Sequence, residues 1–199
     1  MATISAELVK QLRDRSGAGI MDCKEALAEC DGDMDKAADY LRKKGLATAK
    51  KRAGKVAADG VVQSYVHMGG KIGVLVEVNC ETDFVAKTEE FKTFAKNIAM
   101  HIAASHPLGV VPEDIPEDTV AKEKELYRQQ ALEMGKPENV LEKIVEGKMN
   151  KFYKESCLMN QMYVRDTNLT ISDVINDMIA QTGEKITIHR FARFQIGDE

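Results

Sequence analysis

The chain lacks the phosphate-binding loop Gly-x-x-x-x-Gly-Lys-Ser/Thr and the Gly-x-Gly-x-x-Gly turn, so NTPase and dinucleotide chemistry have no recognisable cradle. Gly-x-Ser-x-Gly and His-Glu-x-x-His are missing too, which removes the commonest hydrolase and zinc-protease arrangements. The four histidines, His67, His101, His106 and His189, form no ligand-spaced pair, and His101 and His106 are expected on the surface near a helix end. Glu113-Asp114 and Glu117-Asp118 are paired carboxylates, but their proline-rich surroundings read as a solvated loop. Cys23, Cys30, Cys80 and Cys157 are widely spread with no Cys-x-x-Cys, the pattern of reduced thiols rather than of a disulfide framework or metal site. No apolar run reaches eighteen residues, and the first seven lack the regions of a signal peptide, so a cytoplasmic protein without a membrane segment is expected. A net charge of only −4 disfavours wholesale electrostatic binding of nucleic acid. No cofactor or metal is expected, and an enzyme reading has no residue cluster to stand on.

What is present is an ordinary globular composition: 199 residues, 44% hydrophobic and 30% charged, enough for one or two domains with a sizeable core. Residues 5–45 read as three short helices. Ser5 suits the first N-cap, Leu8 and Leu12 face inward, and Gly17-Ala18-Gly19 stops the helix. Ile20, Cys23, Leu27 and Cys30 give the second helix one apolar stripe. Asp33 is a candidate cap for a third helix expected to stop at Gly45. A bundle this small buries little and should be marginal unless docked, so residues 1–45 are read as an interaction module. Residues 46–60 follow as a basic linker. The stretch 42–55 holds seven basic residues and no acidic one, which fits a solvated, helical connector or a patch for RNA or an acidic partner. No aromatic residues are interleaved to stack on bases, which weakens the RNA option.

Residues 61–199 read as an α+β core. Two β-rich runs, 61–67 and 72–79, flank Gly69-Gly70 as a hairpin. The second run is apolar almost throughout and is expected to be covered on both faces. Thr88 is a candidate N-cap for a helix carrying Phe91, Phe94, Ala95, Ile98 and Ile102 on one side. A charged helical hairpin spans about 119–152, broken at Gly135-Lys136-Pro137. Residues 158–164 look irregular, and Ile171, Val174, Ile175, Met178 and Ile179 mark another helix. The last strand, 186–196, has Phe191 out of phase, which predicts a bulge or two-sided burial. It should complete a three-stranded antiparallel sheet packed by helices.

Between the second strand and its helix lies Glu81-Thr82-Asp83-Phe84-Val85-Ala86-Lys87. This corner puts a hydroxyl, a carboxylate and an aromatic ring in succession on a loop held at both ends, a common position for function. Taken alone, Asp83 reads more readily as a residue that caps the helix or bonds its own turn, and Phe84 more readily as core.

Two long motifs carry a resemblance. Val9-Lys10-Gln11-Leu12-Arg13-Asp14-Arg15-Ser16-Gly17-Ala18-Gly19-Ile20-Met21-Asp22-Cys23-Lys24-Glu25-Ala26-Leu27 closely resembles a signature of the bacterial elongation factor Ts family. Gly73-Val74-Leu75-Val76-Glu77-Val78-Asn79-Cys80-Glu81-Thr82-Asp83-Phe84-Val85-Ala86 resembles its second. Lys136-Pro137 to Met149 and Arg190-Phe191-Ala192-Arg193-Phe194 are similar as well, so the likeness spans nearly the whole chain. It implies a guanine-nucleotide exchange factor for elongation factor Tu in translation elongation, not an enzyme in its own right. It also implies a ubiquitin-associated-like fold for the first three helices, with Arg13, Ile20 and Met21 docking the partner. Thr82, Asp83, Phe84 and Val85 would displace the partner's Mg²⁺ and so loosen GDP. The length resembles that of short members with one core β-subdomain, which implies two copies per complex. Ala192 stands in the segment where some short members have a linking cysteine, so a non-covalent homodimer is expected, with no membrane and no specific nucleic acid as partners. The competing readings are an RNA-binding or ribosome-associated module built on the basic stretch, and an enzyme with an unrecognised site.

Overall fold

The structure, a computed structural model, describes residues 4–135 and 137–198. Its elements run α1 (Ala6–Ser16), α2 (Ile20–Glu29), α3 (Met34–Arg52), β1 (Asp59–Val66), β2 (Ile72–Cys80), α4 (Asp83–Ala86) and α5 (Glu89–Ser105), followed by α6 (Glu117–Glu133), α7 (Glu138–Ser156), β3 (Met162–Tyr163), β4 (Asp166–Thr170), α8 (Ile171–Thr182) and β5 (Thr187–Gln195). The fold class is α+β, with a three-stranded antiparallel sheet in the order β1-β2-β5. Contacts divide the chain into two units. The first comprises residues 1–63, 77–97 and 173–189, and the second 64–76, 98–172 and 190–199.

In the first unit, side-chain caps start α1 and α3. Ser5 accepts from the Leu8 N–H, and Asp33 accepts from those of Asp35 and Lys36. Gly17, at φ 68°, ends α1 with its N–H on the Arg13 carbonyl. Leu12, Cys23, Ala26, Leu27, Ala37 and Leu41 form a small sealed core. Helix α3 does not stop at Gly45, as glycine chemistry had suggested, but continues to Arg52. Gly45 is there for closeness: a Cβ on it would lie 3.0 Å from the Ala180 Cβ of α8. Around that approach Arg42 pairs with Asp173 at 2.7 Å, and the Gln181 amide donates to the Ser16 carbonyl. The bundle is thus docked on α8, which relieves the marginality its size would impose.

In the second unit, Leu141, Val145, Met149 and Phe152 line one face of α7, with Ile115 and Cys157 beside them. The hairpin of α6 and α7 is longer than its pattern suggested, and its break includes Lys136, which lies outside the described residues. Arg128 pairs with Glu142, and the Lys148 ammonium both donates to Gln130 at 2.7 Å and lies over the Tyr127 ring. Within residues 158–164, expected to be irregular, Met162–Tyr163 form β3, which pairs antiparallel with β4 so that Met162 faces Thr170.

Strand β2 is covered on one face only. Val74, Val76, Val78 and Cys80 are buried, while Leu75 is 47% exposed, so the expected two-sided cover is corrected. In β5 the inward positions slip from Ile188 to Phe191 and Arg193, with His189 and Arg190 both exposed between them. That phase slip matches the out-of-phase Phe191 and turns Phe194 outward, 68% exposed.

His101 is buried, not on the surface. It occupies the inward stripe of α5, three residues on from Ile98 and next to Ile102, where polar partners make burial tolerable. The Val164 N–H donates to its Nδ1 at 3.3 Å, so Nε2 carries the proton and donates to Gln161 Oε1 at 3.0 Å. Burial holds the ring's pKa below the ordinary 6.5, and the Gln161 bond opposes this only in part. The unfolded chain therefore binds a proton that the folded protein refuses, and stability falls as pH drops below about 6.5 towards the folded-state value. Urea midpoints measured from pH 7 to 5.5 are expected to fall for the native chain and to fall less for His101→Phe. That variant starts lower, because each stranded partner costs about 1–3 kcal/mol. Parallel profiles for the two proteins would contradict the assignment.

Candidate functional site

All seven residues singled out from the sequence, Arg13, Ile20, Met21, Thr82, Asp83, Phe84 and Val85, fall in the first unit. They occupy two places in it.

The corner is not a loop but a single helical turn, α4, followed directly by α5. Thr82 caps it: its hydroxyl accepts from the Val85 N–H at 3.4 Å. The same hydroxyl donates to Glu184 Oε1 at 2.6 Å. Glu184 Oε2 accepts from the N–H groups of both Glu81 and Thr82, each at 3.1 Å. Thr88 caps α5 as expected, accepting from the Phe91 N–H at 3.2 Å. Val85 points inward and is buried, so of the four corner residues it is the anchor. Phe84 points outward and is 78% exposed. A ring that large, held on a braced turn with no core to join, is the most conspicuous apolar feature of the corner.

Asp83 is not the cap of the turn, which is Thr82. Its carboxylate is exposed and paired with Lys87 one turn on. That hydrogen bond, with the ammonium charge, holds the Asp83 carboxyl below the usual range, so it is ionised at neutral pH. The corner therefore offers an anion beside an apolar ring. Beneath it the Cys80 thiol is buried and donates to the Thr82 carbonyl at 3.1 Å. Burial first, and the Glu184 charge second, push that thiol up to about 11, so it is a packing group and not a nucleophile.

Glu184, Lys185 and Arg52 are contributors that sequence reasoning missed. Glu81 accepts from the Lys185 N–H at 2.7 Å and from Arg52 Nη1 at 3.3 Å. Nothing local marks Glu184, which follows a turn at the end of α8 and lies 102 residues from Thr82. Three of the seven basic residues in 42–55 are drawn into pairs: Arg42 with Asp173, Lys44 with Asp22 and Glu25, Arg52 with Glu81. That leaves less of a cationic patch than the sequence displays.

The second place is on the bundle. Arg13 and Ile20 line a groove of about 450 Å³ with Ile4, Val9, Lys10 and Lys24. Among the described residues its walls are apolar and cationic with no acidic side chain, and Ile20 is 56% exposed. Met21 is not in the groove but stands next to it in the chain, 74% exposed. Tyr65 and His67, near the hairpin turn of the second unit, bond to each other at 3.0 Å. No group of three or more His, Cys, Asp or Glu side chains able to hold a metal occurs among the described residues. No helix among them is long and apolar enough to cross a membrane.

Comparison with known proteins agrees with the motifs. The family described as Elongation factor TS matches residues 35–198. Elongation factor Ts of Desulfosudis oleivorans is 61% identical over 198 residues, covering all of both chains. Elongation factor Ts of Moorella thermoacetica is 59% identical, covering 98% of this chain and 96% of its own. That of Syntrophus aciditrophicus is 57% identical, covering 98% of each.

The cap at the corner has a direct check. Thr82→Val keeps the side chain's shape and removes both hydroxyl bonds, with an expected loss of about 0.5–2 kcal/mol in stability. Exchange of the Val85 amide should quicken, and Thr82→Ser should restore it. A native exchange rate in Thr82→Val would contradict the cap.

Proposed function

This chain belongs to the elongation factor Ts family, and from that premise we propose that it is the guanine-nucleotide exchange factor of elongation factor Tu. The family makes it a translation elongation factor. The exchange step, its partner and a cytoplasmic setting are our reading. The observation that supports it most is Phe84, a fixed ring standing out of the protein beside an ionised carboxylate.

GDP on a GTPase is held largely through its phosphates and Mg²⁺, whose charge neutralises the diphosphate. A wedge that displaces the ion leaves that charge uncompensated and weakens the whole ligand. Phe84 would be the wedge, Asp83 the flanking anion, and Thr82 with Val85 the mount that keeps the ring from folding back. An exchange factor must bind the nucleotide-free partner better than the GDP-bound one, or it shifts nothing. A 10⁴-fold preference needs roughly 5.5 kcal/mol, and burying one Phe supplies about 1.5–3. The balance falls to other contacts, and the groove at Arg13 and Ile20 suits a partner face bearing apolar and acidic groups. In this reading residues 1–45 dock, 46–60 connect, and 61–199 carry the wedge. The protein performs no covalent chemistry of its own.

The functional form we propose is a non-covalent homodimer. Its support is the uncovered sheet face of the second unit, where Val66, Leu75, Phe194 and Ile196 are all exposed apolar residues. A second copy would cover them, since patches of this kind mark association surfaces. Sedimentation should show a dimer that Phe194→Asp converts to monomer; a native chain that sediments as monomer at all concentrations would remove the proposal.

The exchange reading is tested by release of a fluorescent GDP analogue from elongation factor Tu at fixed Mg²⁺. The native protein should accelerate release. Phe84→Ala should lower the maximal rate roughly ten- to a hundredfold, the kinetic equivalent of the buried ring. Ile20→Ala should instead raise the half-saturating concentration. No acceleration by the native protein overturns the exchange role, and a Phe84→Ala variant equal to native overturns the wedge.

A further inference from the structure

Glu184 receives three hydrogen bonds from the corner, two from consecutive backbone amides and one from the hydroxyl that caps α4. The connection runs both ways. Glu81, from the corner side, takes the Lys185 backbone N–H at 2.7 Å, so residues 81–82 and 184–185 hold each other by two carboxylates in exchange. This pair is also fastened to the end of α3. Glu81 takes Arg52 at 3.3 Å, and the Lys185 ammonium donates to the Ala53 and Lys55 carbonyls at 2.8 and 2.9 Å, where the helix has run out of internal donors. Helix α3 is the same helix that, further back, closes the N-terminal bundle.

We propose that Glu184 is a positioning residue for the exchange site, and that with Glu81, Arg52 and Lys185 it forms a clamp joining the exposed Phe84 turn to the end of α3. This rests on the exchange reading above. The clamp serves two ends. It holds the ring in one orientation, because the Thr82 hydroxyl that orders the turn is itself oriented by Glu184. It also makes the turn and the bundle helix one body, so a partner docked on the bundle meets the ring at a fixed place. Charge-assisted bonds from a carboxylate to backbone amides have the strength and geometry for such a mount. Glu184 touches no partner atom in this scheme.

The test measures two things on the full-length chain. Amide exchange at Glu81, Thr82 and Val85 in the free protein reads the clamp without any partner. Release of the fluorescent GDP analogue, titrated with factor, separates maximal rate from half-saturation. Glu184→Ala should speed amide exchange at the three positions at least roughly tenfold and lower the maximal release rate by a comparable factor, since small misplacements of an acting group are costly. Half-saturation should stay within about twofold, because the groove at Arg13 and Ile20 is untouched. Glu184→Gln, which keeps an acceptor oxygen, should recover most of both losses. Arg52→Ala, which removes one of the two ties to the end of α3 and leaves that of Lys185, should keep Thr82 and Val85 protection while lowering the maximal rate. Native release parameters in Glu184→Ala with fast amide exchange overturn the positioning role, and native amide exchange overturns the clamp. If the native protein fails to accelerate release while Glu184→Ala still loses protection, the exchange reading fails and the clamp stands as structure alone, which overturns its positioning role.

Discussion

Strand β2 ends at Cys80 and α4 begins at Asp83, and between them two consecutive backbone N–H groups have no ladder or helix to enter. Such donors need an acceptor wherever water is partly excluded. Glu184 supplies one carboxylate for both and for the capping hydroxyl. The rest of the corner follows from that single group. With residues 81 and 82 fixed, the Val85 amide has its cap, α4 has a defined axis, Val85 turns inward and Phe84 has only solvent to face.

How much of this was legible in the sequence depended on the range of the cause. Ser5, Asp33 and Thr88 were readable as caps because a cap is decided within three residues. The hairpin at Gly69-Gly70 and the apolar stripe of α5 were readable for the same reason: turn chemistry and periodicity are local. At Gly45 and His101 the local pattern points the wrong way, because a distant partner decides each. Glycine usually ends a helix, but here Ala180 of α8 needs the space. Histidine near a helix end is usually solvated, but here Gln161 and Val164 satisfy both ring nitrogens. Thr82, Asp83, Phe84 and Val85 stand out in the sequence only as a group; the fold divides them into cap, flanking anion, exposed ring and buried anchor. Glu184 carried no signal at all, since its partners lie 102 and 103 residues away.

The sheet shows how an apolar pattern can be right about composition and silent about cover. Alternation in β2 leaves Leu75 exposed among buried valines, and the slip in β5 moves the later aromatic to the outside. Arg193 uses the slip: its guanidinium turns inward and donates to the Ala103 carbonyl near the end of α5. A cation at a helix C-terminus is favourably placed against the backbone dipole. One irregularity in register therefore both satisfies a helix end and brings an apolar side chain to the surface.

The close approach at Gly45 has a bearing on how the chain folds as it is made. Glycine inside a helix costs about 1 kcal/mol relative to alanine, so α3 is intrinsically weaker than its alanine- and lysine-rich neighbours suggest. Its compensation arrives from α8, through contacts such as Arg42 with Asp173 that span 131 positions of sequence. Long-range closures of this kind slow folding and come last on a growing chain. The N-terminal helices thus leave the ribosome well before the surface that steadies them exists, and their final order is set at the end of synthesis rather than at its beginning.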